Sequence, residues 1–187
     1  MCRHKFIIRM SVSGSLCFCI FERTNNTMAV SDILLLGNPK LYEKSIPVKK
    51  EELPVLLQPI ELMFDTVIDF RKKYGVGRAI AAPQIGLQKR IICLNIDNRV
   101  AIINPVLSDL SREIFEVWDD CMSFPNILVK VNRHKTLTLS FYDLNWMKQT
   151  WKLEGDLAEL IQHEYDHLDG ILATQRAIDN KSFKILA

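Results

Sequence analysis

The decapeptide IQHEYDHLDG, residues 161–170, constrains this chain more than any other stretch. It holds two of the four histidines, His163 and His167, with Glu164 directly after the first. On a helix four residues advance about 400°, so both imidazoles leave one face a turn apart and reach a single cation at about 2.0–2.1 Å. Glu164 points about 100° away, able to touch a water on that cation without ligating it. The flanks support a helix. Asp156 with Glu159 three residues on resembles a capping box, Gly170 fits the stop, and Leu157, Leu160, Ile161, Glu164 and Leu168 share a broad face. Isolated histidines on such a face are ordinarily core or surface residues, but the pair with its glutamate favours a metal. Asp166 and Asp169 are acids that can orient an imidazole from behind; Asp169 reads more simply as a solvated charge at the helix end.

Two histidines do not complete a catalytic centre, which needs three protein ligands and an open position. Only 20 residues follow His167, and they contain neither His nor Glu, so the third ligand comes from upstream. That excludes the long metalloprotease arrangement. His134, in VNRHKTL, is one upstream donor and reads equally as an exposed strand residue. Cys121, among the polar and turn-forming residues of WDDCMSFP, is the better one, since a thiolate completes a Cys–His–His set suited to a soft or borderline metal. Cys93 lies in the apolar run RIICLNI and reads as core. The five cysteines have no disulfide-framework spacing, which favours a reducing compartment.

The remaining pattern is an α+β domain. DILLLG reads as a short buried strand ended by a turn at GNP. PVLLQPIELMFDTVIDFRKKYG reads as an N-terminal helix with Leu56, Ile60, Met63, Phe64, Val67 and Ile68 on one stripe, Pro59 as a blemish and Gly75 beyond its end. GVGRAIAAPQIGLQ follows as a small-residue loop. Mostly antiparallel strands come next: RIICLNI, VAIINPVL, REIFEVW and the long alternating LVKVNRHKTLTLSFYDL. A C-terminal helix carrying the H-E-x-x-H pattern completes the plan, with the strands expected around it. Residues 28–187 then form one catalytic domain. The 27 residues before Met28 lack an acid until Glu22; they read as a targeting leader or as sequence upstream of a working start at Met28. A net charge of +2 without a basic run gives no footprint for nucleic acid, and no stretch approaches the ~20 apolar residues of a membrane span.

Three ordered segments, GRAIAAPQIG (77–86), DDCMS (119–123) and QHEYDHLDG (162–170), resemble the signatures of the peptide deformylase family: a Gly-rich GxGxAAPQ loop, an EGCLS strand-loop and QHExDHxxG on the last helix. The likeness runs from about Ile33 to Leu172, and LLLGNPKL resembles the family's opening strand. It implies a metal-dependent hydrolase that removes the formyl group from the N-terminal formyl-methionine of nascent polypeptides, in the cytoplasm near the ribosome, or in an organelle if residues 1–27 are a leader. Cys121, His163 and His167 would bind one divalent metal, Fe(2+) in the family, with Zn(2+), Ni(2+) or Co(2+) able to replace it. Glu164 would be the general acid/base, while Gln84 and the backbone N–H of Met122 would face the developing oxyanion. Gly77, Arg78, Ala79 and Asp120 would line the substrate groove.

The chain departs from the family at two places. Ala79, preceded by Arg78, stands where the family has its second glycine, and Asp119-Asp120 replaces Glu-Gly. Arg133 is a candidate partner for Asp119. Asp120 raises the question of a positive φ, and Arg78 and Asp120 are expected to face each other across the groove. These departures motivate two rivals: an amidase with a different N-acyl substrate, and an inactive metal-binding homologue. Retained Glu164 and Gln84 weigh against the second, since holding a metal needs neither.

Overall fold

The computed structural model describes residues 33–186; the leader or upstream-start reading of residues 1–27 lies outside the described residues. Helix α1, Leu53–Tyr74, runs through Pro59 and ends at Gly75, whose φ of 75° makes the left-handed cap that glycine adopts freely. The strands are β1 (Ala79–Ala81), β2 (Ile91–Asn95), β3 (Arg99–Ser108), β4 (Ile114–Asp119), β5 (Ile127–His134), β6 (Thr136–Tyr142), β7 (Lys148–Glu154) and β8 (Phe183–Ile185); helix α2, Gly155–Leu168, lies between β7 and β8. They form a five-stranded sheet, β1-β2-β3-β6-β7, and a three-stranded sheet, β4-β5-β8, with every strand pair antiparallel.

Strand β2 shows why its sequence is apolar throughout. Ile91 and Cys93 join the core under α1 with Ile60, Met63, Phe64 and Val67, while Ile92 and Leu94 join a second core with Leu160, Ile161 and Leu168 of α2. Alternate side chains leave opposite faces of a strand, so a strand between two helices has no solvent face. Each such side chain stabilises the fold by roughly 1.5–3 kcal/mol relative to leaving it exposed. A third core gathers Cys121, Phe124, Val129 and Val131 with Leu41 and Leu172.

Several sequence expectations are corrected. Residues 33–37 of DILLLG form no strand: Leu35 and Leu36 are exposed, and the backbone instead donates from Leu34 N to Gln84 O and from Leu36 N to Ser123 O. The segment clasps two loops and so has no ladder to join. The long alternating stretch breaks at Lys135, where β5 ends in one sheet and β6 begins in the other. The small-residue loop contains β1, with Ala79 paired to Leu94. Asp156 and Glu159 make no capping box; the cap position is Glu154, without a side-chain bond, and both acids turn to Arg78. Leu157 is exposed, leaving the rest of that face buried.

Candidate metal centre and its cleft

The two sheets meet at α2. Cys121 follows β4 of the smaller sheet, and His163 and His167 project from α2, which packs on β1 and β7 of the larger. Helical spacing and strand placement therefore bring one thiol and two imidazoles together. Their donor atoms lie within 4.8 Å of one another, all buried. Nε2 of His167 is 3.1 Å from Nε2 of His163 and 3.2 Å from Sγ of Cys121. Three electron-pair donors at such separations repel unless a cation or shared protons lie between them. The spacing fits bonds of about 2.0–2.3 Å from each donor to one ion, so the residues present fit a divalent metal.

Behind these side chains sits a buried charge cluster. Arg133, at the C-terminal end of β5, donates from Nη2 to Asp119 at 2.7 Å and from Nη1 to Asp166 at 2.6 Å. Asp119 Oδ1 also lies 2.7 Å from His163 Nδ1, close enough for charge attraction but not aligned as a hydrogen bond. Burial opposes the Asp119 charge, yet His163 and Arg133 outweigh it and bring the carboxyl down to about 2. Burial likewise lowers the basicity of His163, but Asp119 and Cys121 reverse the balance and leave it well above the ordinary range. Burial and the neighbouring His163 hold His167 well below it. A metal held there would compete with protons for His163. The expected Arg133–Asp119 contact is present. Asp166 orients no imidazole; it pairs with Arg133 and Arg176. Asp169 is held by Arg90 at 2.7 Å rather than solvated alone.

Glu164 is buried, and its Oε2 has no partner among the described residues. Burial, aided by Asp119 and Glu159 against the pull of His163, pushes its carboxyl up to about 7. Gln84, in the turn after β1, accepts from Ala81 N at 2.9 Å through Oε1. Its amide nitrogen is thereby aimed at Ser123 Oγ (3.2 Å) and Cys121 Sγ (3.6 Å). Cys121, His163, Glu164, Gln84 and Met122 line one cleft of about 270 Å³, together with Gly77, Arg78, Ala79 and Asp120. His134 is elsewhere, its Nδ1 on Ser111 O at 2.7 Å, and Cys93 is core.

The departures have physical accounts. Ala79 fits because its methyl belongs to the apolar core against α2. Gly77 has φ of 122°, and a Cβ there would sit 3.2 Å from the Phe70 ring, so this position needs glycine. Asp120 is exposed and is not among the positive-φ residues, so no strain attends it. Arg78 and Asp120 line the same cleft but do not pair: Arg78 is bonded to Asp156 and sits 3.4 Å from Glu159. The expectation failed because a closer acid pair, on the first turns of α2, captures the guanidinium. Glu159 was read as a cap and missed as a cleft residue. Burial and the nearby Asp119 push its carboxyl up to about 7.

An α+β fold with a buried Cys–His–His group beside an unpartnered glutamate defines a metal-dependent hydrolase. Residues 30–183 match the family model for polypeptide deformylase. Peptide deformylase 1 of Prochlorococcus marinus is 32% identical over 168 residues, covering 83% of this chain and 85% of the relative. The structure of a Synechococcus elongatus peptide deformylase in complex with actinonin has a TM-score of 0.74 at 28% identity, covering 80% of each chain. That of Thermotoga maritima peptide deformylase has a TM-score of 0.71 at 30% identity, covering 79% of this chain and 97% of the other. The chain belongs to the peptide deformylase family.

Proposed function

We propose that Cys121, His163 and His167 hold one divalent metal and that the cleft beside them hydrolyses the N-formyl amide of nascent polypeptides, formyl-methionine being the family's substrate. The chain is a metal-dependent hydrolase of this family. The observation that carries the residue assignment is the convergence of those three buried donors next to Glu164, whose Oε2 is free among the described residues. Bound there, a divalent ion supplies the Lewis acidity that makes water nucleophilic near neutral pH and polarises a carbonyl. The donor set suits Fe(2+), with Zn(2+), Ni(2+) or Co(2+) as substitutes.

Glu164, balanced near neutrality, takes a proton from the attacking water and returns it to the departing amine, a role worth about 10²–10⁴ in rate. Gln84 presents its amide N–H groups where the carbonyl oxygen gains charge, a contribution of about 10²–10³. Met122 N–H, which follows the thiolate ligand, serves the same oxygen. Gly77, Arg78, Ala79 and Asp120 form the walls that receive the peptide. Residues 28–187 act as one catalytic domain, with the strands disposed around α2. We place the reaction in the cytoplasm near the ribosome, where formylated chains emerge, or in an organelle if residues 1–27 direct it there. No described helix is long and apolar enough to cross a membrane.

Anaerobic purification with iron, followed by formate release from formyl-Met peptides, tests the assignment. Wild type is expected to turn over, and Glu164→Gln to retain metal with turnover reduced by about 10²–10⁴. Bound metal without formate from any formyl peptide would overturn the function.

A further inference from the structure

Ser123, in the turn after β4, is 1% exposed, and it neither lines the cleft nor belongs to the Cys–His–His group. Its polar groups nevertheless reach three parts of the centre. The backbone N–H donates to Cys121 Sγ at 3.4 Å, and the carbonyl accepts from Leu36 N at 2.9 Å. The side-chain Oγ accepts from Gln84 Nε2 at 3.2 Å. The main-chain bonds are open to almost any residue here. The contact with Gln84 needs a hydroxyl, and Oγ makes no other hydrogen bond among the described residues.

A side-chain amide carries one accepting oxygen and two N–H groups in one plane. Ala81 N donates to Gln84 Oε1 at 2.9 Å, which settles which end of the amide is nitrogen. Ser123 Oγ takes one N–H, and the other is left for the cleft that Gln84 lines. Two anchors fix the plane, so the second N–H keeps one direction. Without the hydroxyl the amide is held at its oxygen alone, and a buried N–H has lost its acceptor. The nearest replacement is the sulfur of Cys121, 3.6 Å from Nε2. Turning toward it takes the amide away from the place where a carbonyl oxygen gains charge. An oxyanion donor is effective only when it is aimed before the reaction begins.

We propose that Ser123 is a positioning residue for this reaction: its hydroxyl aims the Gln84 amide at the developing oxyanion while touching neither substrate nor ion. The proposal rests on the deformylase reading and deepens it, since it makes the oxyanion site a relay of two buried side chains rather than one glutamine.

Formate release from a formyl-Met peptide is compared in wild type, Ser123→Ala, Gln84→Ala and the double variant, all loaded with the same metal. Ser123→Ala is expected to lower kcat by about 10-fold or more, up to the 10²–10³ of losing the donor itself. KM should stay within about twofold, because the lost contact acts in the transition state. In the double variant the serine change should cost nothing further, since the group it acts through is gone. Chelator competition should give Ser123→Ala the metal affinity of wild type, because the backbone N–H to Cys121 Sγ remains. A readout apart from turnover is NMR of the zinc-loaded chain: one Gln84 side-chain amide proton should exchange slowly in wild type and quickly in Ser123→Ala. An unchanged kcat in Ser123→Ala would overturn the proposal and leave the deformylase reading intact. So would a rate loss that multiplies onto that of Gln84→Ala, or one that tracks lost metal, either of which marks a merely structural serine. Metal-loaded wild type with no formate from any formyl peptide would remove the deformylase reading, and this role with it.

Discussion

Arg133 and Arg78 each bridge two carboxylates, at least one of them from α2 in either case, and their surroundings give them different work. Arg133 bonds Asp119 and Asp166 with its side chain 4% exposed, directly behind the Cys–His–His group. Arg78 holds Asp156 and Glu159 with its side chain 35% exposed, at the cleft. In the inner cluster every charge has a short partner, and Asp119 is held ionised at about 2. In the outer one the sharing is uneven, and Glu159 rises to about 7. The same pair chemistry is a brace where water is excluded and a loosely shared contact where solvent reaches it.

The sharpest way to break this contrast is Arg133→Met. It leaves Asp119 buried beside the Cys–His–His group without its guanidinium, and urea unfolding should show a loss of about 3–5 kcal/mol. A loss near zero would erase the distinction between the clusters. Asp119→Ala removes the acid against His163 Nδ1; competition with a chelator should show metal affinity falling by about 10–100-fold. The outer cluster predicts a pH effect of definite sign. Glu159 titrates at about 7 when folded and near 4.5 when unfolded. The folded chain therefore keeps a proton that the unfolded chain loses, and this residue's contribution to stability falls as pH rises from about 4.5 to 7. Urea midpoints of metal-free protein across that range should decline less steeply in Glu159→Gln than in wild type. The smallest effect belongs to Arg78→Ala, about 0–1 kcal/mol by the same unfolding measurement.

What could be read from the sequence followed the range of the signal. His163, Glu164 and His167 are encoded by a repeat of one helical turn, and α1 by its apolar stripe, so both were visible locally. Cys121 stood out by the polar and turn-forming residues around it in WDDCMSFP once a third donor was missing downstream, whereas Gln84 required three segments to be read in order. The Arg133–Asp119 contact could be guessed from an unusual acid and a nearby base on the strand that follows. Arg78 with Asp156 and Glu159 could not: charge attraction has no sequence period, and D-x-x-E at a helix start also spells a cap. The division of the long alternating stretch at Lys135 was hidden for a related reason. Period-two alternation reports that residues are in strands, not which sheet each strand joins.

The seating of the ligands on different sheets has a mechanical consequence. Cys121 hangs from the three-stranded sheet, while the histidines ride on a helix packed against β1 and β7 of the five-stranded one as well as against β5. An ion held by all three would act as a rivet between the two sheets, closing a loop of about 40 residues between Cys121 and His163, a length at which a cross-link restricts the unfolded chain appreciably. Chelation should then do more than silence turnover. Amide hydrogen exchange should quicken first in β4, β5 and β8, with α1 and β2 following only at global unfolding.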